Sequence, residues 1–516
     1  MDKRYDHLKN EKQSQKTWED KKLYKFDAKN KKQVFSIDTP PPTVSGSLHI
    51  GHIFSYTHTD IIARFKRMSG HNVFYPMGYD DNGLPTERFV EKKHKLRAHM
   101  LKRSEFMDLC LKESENSSKE FSELWKSMGL SIDWSQTYST ISEPVRKISQ
   151  YSFIDLYNKG FIYRKEEPAL YCPICRTSVA QAELDNVEVK TTFNDIEFKT
   201  PGGEKLVIAT TRPELLPACV AVFYHPKDKR YIHLKGEKAI TPVFNKEVPI
   251  LADDTVDKEK GTGLVMCCTF GDQQDITWYK NHKLPLVQVV GRNGVWLDEA
   301  GPLAGLRVRD ARKKVLELLQ EAGVLLSQKQ ITHPVNTHER CKNEIEYLVL
   351  TQWFVNILDH KGTFLDLAEE IEWKPAFMKS RYIDWVTNLK WDWCISRQRF
   401  YAVPFPLWHC VDCKKVVLAE EKDLPIDPQE QSYPGGKCPH CEGSRLEPET
   451  DLMDTWNTSS LTPQINANWP KNDKGIAIPM SMRPQAHDII RTWAFYTIVK
   501  AYYHNKTIPW KEIVIS

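Results

Sequence analysis

The chain has 516 residues, a formal net charge of +4 and an apolar content of 41%. At about 100–200 residues per domain this length predicts several domains, each with enough apolar residues for a core. The small net charge does not by itself indicate nucleic acid, although a local basic face can lie within it. No stretch is apolar enough to cross a membrane, and the first residues lack the apolar core of a signal peptide. We therefore expect a cytoplasmic protein without a membrane partner.

A charged segment at residues 1–32 precedes the first structured part and predicts either a solvated arm or a surface helix. "KQVFSIDTPPP" then predicts a short strand and a proline-stiffened loop, and "SLHIGHIFSYTHTDIIARFKRMSG" predicts a helix that stops at Gly70. The pattern along that helix is amphipathic, with Ile53, Thr57, Ile61 and Phe65 at helical spacing. A second strand follows in "HNVFYPMGYDDNG". The order strand, helix, strand indicates a parallel βαβ unit and hence an α/β domain.

The loop between this strand and helix has the composition of a ligand-binding loop. In doubly wound sheets, ligands bind beyond the carboxyl ends of the strands, and helix N-termini attract phosphate. Three prolines stiffen the approach, while Gly46 and Gly51 let the backbone come close to a ligand. His49 and His52 then extend from the first helical turn toward the same anion. An ordinary helix cap would explain one histidine but not the proline and glycine around it.

The predicted secondary-structure pattern changes from α/β to mostly β in the middle of the chain and then returns to α/β. From about Asn194 it consists of short β runs, namely "DIEFKT", "EKLVIATT", "CVAVFY" and "GTGLVMCCTF". The α/β pattern resumes with "WDWCISRQRF" and "RPQAHDIIRTWAFYTIVKAYYH". We therefore divide the chain into a charged arm at 1–32, α/β segments at 33–165, 351–408 and 451–516, a metal-bearing stem at 166–190 and 336–350, a β-rich domain at 191–335 and a second metal module at 409–450.

Six of the twelve cysteines form C-x-x-C pairs, and the cytosol keeps such thiols reduced. Two of the pairs lie close together, so four thiolates can hold a tetrahedral zinc ion at Cys410, Cys413, Cys438 and Cys441. The third pair, Cys172 and Cys175, has no such neighbour. Its missing ligands must therefore come from a distant part of the chain.

The best candidates for those ligands are His338 and Cys341 in "NTHERCKNE", which show the same two-residue gap. The alternative is a lost half-site, with His338 as a surface residue. If the four residues form one zinc site, the chain between roughly 190 and 335 is an insertion whose stem is clamped by metal. The remaining cysteines have no partner by spacing and are predicted core thiols, at Cys110, Cys219, Cys267, Cys268 and Cys394.

"HIGH" after "PPPTVSGSL" resembles the first signature of class I aminoacyl-tRNA synthetases. Further segments are similar to that family and follow in its order from about Phe35: "MGYDDNGLPTE", "ATTRPELL", "GTGLVMCCTFGDQQD", "WCISRQRFYAVPFPLW", "DLMDTWNTSSLTPQI" and "HDIIRTWAFYTIVKA". Within the family, "WCISRQ" and "MDTWNTSSLTPQ" look most like the valine type. The resemblance implies an α/β fold in which a Rossmann-like parallel-sheet catalytic domain is interrupted by a β-rich editing domain, with zinc-binding knuckles.

The resemblance also implies an activity and its residues. A valine enzyme would activate valine with ATP and Mg²⁺, transfer it to tRNA(Val) and hydrolyse mischarged threonyl-tRNA, and it is expected to be a monomer with Zn²⁺ at both metal sites. His49 and His52 would be catalytic and would bind ATP together with Gly51 and Asp488. The amino acid would be bound by Pro41, Asp80 and Tyr401. Editing would use Thr210, Thr211, Arg212, Asp272 and Asp275.

Three departures from the family pattern accompany this resemblance. Tyr401 and Ala402 stand where the family often has Trp-Gly, and Ala486 stands where it has glycine. The K-M-S-K-S signature and the anticodon-binding domain would follow Ser516, so the resemblance implies an N-terminal portion of a longer protein. The alternatives are a stand-alone editing hydrolase or tRNA-binding module with a vestigial synthetase core, and an isoleucine enzyme.

Overall fold

The computed structural model describes residues 5–46 and 48–516. The chain divides into two compact units, the first made of the residues up to Tyr163 together with Trp353–Ser516, and the second of Arg164–Gln352. The second unit is therefore an insertion in the sequence of the first. Within the described ranges, no helix combines the length and the apolar character needed to span a bilayer. The finer division into stem and modules stays a prediction.

The chain enters the insertion after five helices and five strands. They are α1 (His7–Asp20), β1 (Val34–Ser36), α2 (Ile50–Met68), β2 (Asn72–Phe74), β3 (Gly78–Tyr79), α3 (Leu84–His94), α4 (Arg103–Ser127), β4 (Tyr138–Ser139), α5 (Glu143–Asn158) and β5 (Ile162–Cys172). The insertion continues with β6 (Thr177–Ser178), β7 (Leu184–Lys199), β8 (Lys205–Thr210), β9 (Cys219–Tyr224), β10 (Lys238–Ile240), β11 (Glu247–Ala252), β12 (Leu264–Cys268), α6 (Gln273–His282), α7 (Val308–Glu321), β13 (Leu325–His338) and β14 (Glu346–Val355).

The remaining elements belong to the first unit. They are α8 (Lys361–Glu370), β15 (Glu372–Lys374), α9 (Lys379–Thr387), β16 (Trp393–Cys394), β17 (Ser396–Arg397), β18 (Leu407–Cys410), β19 (Val416–Leu418), β20 (Leu446–Pro448), β21 (Leu452–Met453), α10 (Thr455–Ser459), α11 (Thr462–Ala467), β22 (Met480–Gln485), α12 (Phe495–Asn505) and β23 (Trp510–Ile515).

Short parallel strands form the centre of the first unit. β1 pairs in parallel with β2, and β22 lies between β1 and β23 through a parallel bridge from Ile37 to Met482. β15 continues the parallel order on the far side of β23. The predicted βαβ unit and the α/β class are thus confirmed, with α2 joining β1 to β2. The loops that follow β1 and β22 leave from the same edge of the sheet, which is where such folds bind ligands.

Helix α2 forms as predicted, but the face suggested by its apolar repeat is wrong. Ile61 and Phe65 are 60% and 62% exposed. The buried positions are instead Tyr56, Thr59, Asp60 and Ala63. The Asp60 carboxylate accepts hydrogen bonds from the backbone N–H and the hydroxyl of Ser131 at 2.6 and 2.5 Å. A polar residue can face a core when its hydrogen bonds are made there, so periodicity alone did not select the buried side.

A β-sheet forms the core of the second unit, as the short β runs predicted. Its strands lie in the order β12, β9, β11, β10, β7, β13, with β8 on β7. β9 and β11 are parallel, and the other neighbours are antiparallel. β7 and β13 form a long ribbon from Leu184–His338 to Ile196–Leu325. The apolar side chains of β8, β9 and β12 pack with α7 into one cluster, which fixes the loops at the strand ends.

The described part of the charged N-terminal segment is a surface helix rather than an arm; its residues 1–4 lie outside the described range. α1 is capped by Asp6, whose carboxylate accepts from the backbone N–H of Lys9. The Gln15 side chain donates to the carbonyl of Lys126 at the end of α4. Arg64 of α2 lies over the ring of Trp18 at 5.5 Å. These contacts hold α1 on the first unit.

Candidate functional sites

The two histidines of the "HIGH" motif stand together at the start of α2. His49 is the N-cap, and its Nδ1 accepts from the backbone N–H of Gly51 at 3.2 Å. The ring centroids of His49 and His52 are 4.0 Å apart. A β-carbon at Gly51 would lie 3.1 Å from the His49 ring, so glycine permits this close approach. The helix N-terminus and two imidazoles thus converge on one side, which suits an anion.

Asp488 approaches the two histidines from the loop after β22, the strand that neighbours β1 in the sheet. It lies exposed in the turn that follows β22. Burial and the neighbouring His49 lower the pKa of His52, while Asp488 acts to raise it. The structure therefore brings Asp488 to His49 and His52, although Asp488 lies more than four hundred positions after the two histidines in the sequence. An exposed carboxylate beside an anion site can accept from hydroxyl groups of a bound ligand.

Asp80 is buried, and its carboxylate is hydrogen-bonded by threonine hydroxyl groups. Its carboxylate accepts from the Thr140 hydroxyl at 2.8 Å and from the Thr455 hydroxyl at 3.2 Å. Its backbone N–H donates to the carbonyl of Pro42 at 2.9 Å. The proline loop and the Asp80 loop are therefore joined directly. A carboxylate placed in this way can receive the ammonium group of an amino acid.

Two tryptophans that the sequence analysis did not single out complete this region. Trp456 follows Thr455, and its ring meets that of Trp493 edge to face with centroids 5.1 Å apart. The Trp456 Nε1 is buried and has no hydrogen-bond partner among the residues described. Both lie in segments quoted for the resemblance, so the motif letters were the available signal. For Thr140 the sequence carried no such signal.

The structure places the other two predicted amino-acid-binding residues less directly. Pro41 is buried in the loop after β1. Tyr401 is almost fully buried in a cluster with Phe106 and Cys110 from α4. Burial raises the pKa of Tyr401, so its phenol stays neutral at physiological pH. Their contact with an amino acid remains a prediction.

In the second unit, the threonine-rich loop lies against the turn that carries the two predicted acids. Thr210 ends β8, and its hydroxyl accepts from the backbone N–H of Arg212 at 3.0 Å. Leu215 of this loop approaches Gly271, where a β-carbon would lie 3.0 Å from its Cδ1 and 2.8 Å from the Asp275 carboxylate. Glycine at 271 therefore lets the two loops close on each other.

The two acids of that turn have different surroundings. Asp272 is exposed and caps α6, accepting from the backbone N–H groups of Gln274 and Asp275 at 2.8 and 3.0 Å. Asp275 is buried and accepts from the backbone N–H of Gly271 at 2.8 Å. Burial, together with the charge of Asp272, raises the pKa of Asp275 to about 8. A buried carboxyl of this kind can be stabilised as a carboxylate by a cationic ligand.

Arg212 is already engaged by two buried carboxylates. Its Nη2 lies 3.0 and 2.8 Å from the two oxygens of Glu346, and its Nε lies 3.0 Å from Glu214. Arg312 also donates to Glu214, at both of its oxygens. Thr211 is half-buried beside this network. Glu214 lies in the quoted segment "ATTRPELL", whereas Glu346 carried no sequence signal, because it lies in β14 more than a hundred positions after Arg212.

Among the residues that the structure describes, each unit contains one group of four potential metal ligands. In the second unit these are Cys172, Cys175, His338 and Cys341, and in the first they are Cys410, Cys413, Cys438 and Cys441. Within each group the ligand atoms lie within 4.8 Å of one another. The predicted pairing of the lone C-x-x-C with His338 and Cys341 is therefore the arrangement found. The five cysteines predicted as core thiols are all buried.

The four half-sites share one turn. The residue after the second ligand has a positive φ of 55–61° at Arg176, Lys342, Lys414 and Glu442. In each turn its N–H donates to the carbonyl of the first ligand at 2.7–2.9 Å. The segment around His338 thus has the same backbone as the three C-x-x-C knuckles. This repetition indicates that it is a half-site rather than an incidental surface histidine.

The spacing of the ligand atoms fits a tetrahedral metal ion. Sulfur pairs lie 3.4, 3.6 and 3.7 Å apart, and Cys341 Sγ lies 3.7 Å from His338 Nδ1. A zinc ion with Zn–S bonds of about 2.3 Å places two tetrahedral sulfurs about 3.8 Å apart. Both groups could therefore hold a metal ion with four protein ligands.

Comparison with known proteins assigns the chain to a family. Residues 13–516 match the family of tRNA synthetases class I (I, L, M and V). Over 526 aligned residues the chain is 49% identical to a valine–tRNA ligase of Rickettsia rickettsii (strain Sheila Smith) and 47% identical to that of Rickettsia prowazekii (strain Madrid E). Each match covers 100% of this chain and 64% of the relative.

A solved structure supports the fold. The ternary complex of Agrobacterium radiobacter K84 agnB2 LeuRS with tRNA and LeuAMS matches 99% of this chain and 68% of that one, with a TM-score of 0.53 and 18% identity. At this identity the likeness concerns the fold alone. The family match and the sites described agree with the resemblance of the "HIGH" loop. The chain belongs to the class I tRNA synthetases of the isoleucine, leucine, methionine and valine group.

Proposed function

We propose that the chain carries the amino-acid-activating and editing parts of a valine–tRNA ligase. The observation that carries this proposal is the 49% identity to a valine–tRNA ligase along the whole chain. The chain spans 64% of that relative's length, so the activity of the whole protein is part of the proposal. The two candidate sites, one in each unit, supply the chemistry that the two reactions need.

Activation requires no protein nucleophile. The valine carboxylate attacks the α-phosphorus of ATP, pyrophosphate leaves, and valyl-adenylate forms; a ribose hydroxyl of tRNA(Val) then attacks the carbonyl and AMP leaves. Catalysis is therefore positioning and stabilisation of phosphate charge. His49, His52 and the backbone at Gly51 hold the phosphates, and Asp488 accepts from the ribose. Mg²⁺ accompanies ATP and neutralises phosphate charge.

Asp80 orients the amino acid by pairing with its ammonium group. The hydroxyls of Thr140 and Thr455 hold the carboxylate in place. We assign the aliphatic side chain of valine to an apolar wall that would include Trp456 and Trp493, whose rings meet edge to face, together with Pro41 and Tyr401. Such a wall rejects polar side chains by the cost of desolvating them.

Editing addresses the substrate that this wall rejects poorly. Threonine has nearly the shape of valine, and an apolar pocket discriminates only modestly against an added hydroxyl. In the second unit, Asp275 would bind the ammonium of the mischarged threonine, and Thr210, Thr211 and Asp272 would hold the ester and the attacking water. Water adds to the ester carbonyl and the tRNA hydroxyl leaves. Arg212 was predicted as an editing residue, and its two carboxylate partners favour a supporting role over contact with the substrate.

Both four-ligand groups are proposed to bind Zn²⁺ as structural sites. Three thiolates and an imidazole, or four thiolates, complete the tetrahedral coordination and leave no open position for substrate. All twelve cysteines lie in the described ranges and none of them forms a disulfide, which suits a reducing compartment such as the cytoplasm. We propose a monomer whose partners are tRNA(Val), ATP and valine.

The first test uses calorimetry to measure the binding of a non-hydrolysable valyl-adenylate analogue. Wild type should bind the valyl analogue at least tenfold more tightly than the isoleucyl analogue, and Asp80→Ala should weaken binding about 100-fold, because one buried charge-assisted pair is lost. Asp108→Ala, an exposed acid on α4, is the matched control and should bind as wild type does.

The outcomes separate the alternatives. Tighter binding of the isoleucyl analogue would point to an isoleucine enzyme. If neither analogue binds while threonyl-tRNA(Val) is still hydrolysed, the chain is an editing module with a vestigial synthetase core. Either result contradicts the activation part of the proposal.

A further inference from the structure

A buried ion-pair network connects three separate pieces of the second unit. The Arg212 guanidinium contacts Glu214 in its own loop and Glu346 at the start of β14. Arg312 of α7 contacts both oxygens of Glu214, at 2.8 Å from Oε1, which Arg212 shares, and at 3.1 Å from Oε2. The Glu214 and Glu346 side chains are 0% and 5% exposed. Charges at such depth are stable only when their partners stay in place, so the network fixes the relative positions of β14, α7 and the loop.

The network also touches the acid-bearing turn. Arg212 Nη1 lies 3.5 Å from the carbonyl oxygen of Gly271, and the backbone N–H of Gly271 donates to the Asp275 carboxylate at 2.8 Å. One residue therefore receives Arg212 on its carbonyl side and Asp275 on its amide side. A shift of the guanidinium therefore displaces Gly271, and with it the N–H group that orients the Asp275 carboxylate.

We propose that Glu346 is a positioning residue of the editing site: through Arg212 and Gly271 it sets the place of the Asp275 carboxylate. This rests on the proposed editing function. Glu346 does not touch the substrate in this assignment. It holds Arg212 in a two-oxygen contact, and the planar guanidinium then supports the turn from a fixed direction.

The charges of the network agree with this role. Burial acts to raise the pKa of Glu214, but Arg212 and Arg312 outweigh it and lower the pKa, so this glutamate is ionised. Burial, together with the charge of Glu214, raises the pKa of Glu346 against the opposing effects of Arg212 and Arg312. With both carboxylates present, Arg212 is neutralised and does not compete with the substrate ammonium for Asp275. Removing the Glu346 charge frees half of the guanidinium to turn toward that carboxylate.

The test is single-turnover deacylation of threonyl-tRNA(Val) by the 516-residue chain over a range of enzyme concentrations. Glu346→Gln should lower the maximal rate about tenfold and leave the half-saturating enzyme concentration within twofold, because positioning affects the reacting geometry more than binding. Glu346→Asp, which keeps the charge, should recover part of the rate. Glu344→Gln is the matched control: Glu344 is 42% exposed, lies 3.7 Å from Arg312 and should behave as wild type.

The other variants keep the two proposals distinguishable. If Asp275→Ala is inactive while Glu346→Gln works at the wild-type rate, the inference is wrong and the editing function stands. If Asp275→Ala is as active as wild type, the editing assignment itself is wrong. Should Glu346→Gln fail to fold, Arg212→Lys decides, since lysine keeps the charge but loses the two-oxygen contact; a tenfold lower maximal rate supports the inference and an unchanged rate overturns it.

Discussion

The two units each contain one carboxylate assigned to an ammonium group, and its surroundings differ between them. Asp80 in the first unit receives hydrogen bonds from two threonine hydroxyls. Asp275 in the second unit receives the N–H of Gly271, lies beside another acid and has a pKa of about 8. The first carboxylate is supported by donors before the ligand arrives. The second is poorly supported as an anion until a cation reaches it.

This difference suits the two proposed reactions. An activation site is expected to bind its amino acid in every cycle, so a prearranged carboxylate reduces the reorganisation that binding requires. An editing site should engage only an aminoacyl ester that is delivered to it. A carboxyl that becomes fully charged when an ammonium arrives couples its ionisation to the ligand, because an opposite charge nearby lowers a carboxyl pKa.

The largest expected effect is loss of editing without loss of activation. Asp275→Ala should lower the rate of threonyl-tRNA(Val) hydrolysis about 100-fold, which corresponds to about 2.7 kcal/mol of transition-state stabilisation. Binding of the valyl-adenylate analogue should stay within twofold, because Asp80 lies in the other unit. The measurement is deacylation of threonyl- and valyl-tRNA(Val) at saturating enzyme, with the wild-type chain hydrolysing the threonyl form preferentially.

Asp310→Ala provides the control, since Asp310 is an exposed acid on α7 in the same unit. Equal decay of both charged tRNAs with wild-type enzyme would contradict the editing assignment. So would an Asp275→Ala variant that hydrolyses threonyl-tRNA(Val) at the wild-type rate.

The metal sites extend the comparison, because one clamps distant segments and the other closes a local loop. Cys172 and Cys341 are 169 positions apart, whereas Cys410 and Cys441 are 31 positions apart. Loop-closure entropy predicts that the 169-position clamp contributes about 1.5 kcal/mol more to the free energy of unfolding than the 31-position clamp. Elemental analysis should give two zinc equivalents for the wild type and one for either Cys341→Ser or Cys441→Ser.

Thermal unfolding then tests the difference between the clamps. Cys341→Ser should lower the unfolding midpoint more than Cys441→Ser does, since metal binding is coupled to folding. If the wild type holds a single zinc equivalent and Cys341→Ser retains it, zinc binds at the four-cysteine group only, and the assignment of zinc to the group with His338 is wrong. Equal destabilisation by the two variants would contradict the loop-length argument.

The last prediction concerns the pH dependence of folding stability rather than activity or metal content. Because the folded-state pKa of Asp275 is raised from 3.8 to about 8, the folded protein keeps a proton on this carboxyl that the unfolded chain has lost above pH 4. The stabilisation is complete below that pH and is lost as pH rises toward 8, with a slope of at most about 1.4 kcal/mol per pH unit. Asp275→Asn should remove this slope. Urea unfolding at pH 5 and pH 8 measures it, and an identical pH dependence in the variant would contradict the assignment.

Several features could be predicted from local sequence because their physics is local. The C-x-x-C knuckles need two thiolates on one tight turn, and the structure shows that turn at all four half-sites. The two histidines at the start of α2 stand together because they occupy one helical turn. The short β runs of the insertion appear as β7, β8, β9 and β12. Each of these depends on neighbours within a few positions.

Other features were decided by contacts between distant segments. Helix α2 buries Tyr56 and Asp60 rather than Ile61 and Phe65, because Ser131 offers Asp60 its hydrogen bonds across the fold. Arg212 faces Glu346 instead of an open site, and no spacing in the sequence predicts that pair. Helical periodicity and residue type limit which groups can pair, whereas the choice among them depends on which partner the folded chain brings within hydrogen-bond distance.

The sequence by itself thus determined the family, the order of its motifs and the candidate metal ligands, since these are properties of short segments. The tertiary structure alone decided the electrostatic state of the acids. Asp272 became a helix cap and Asp275 a buried carboxyl with a raised pKa, although the two lie in the same turn. The reason is physical: the free energy of a charge depends on the solvent, donors and other charges that surround it in three dimensions.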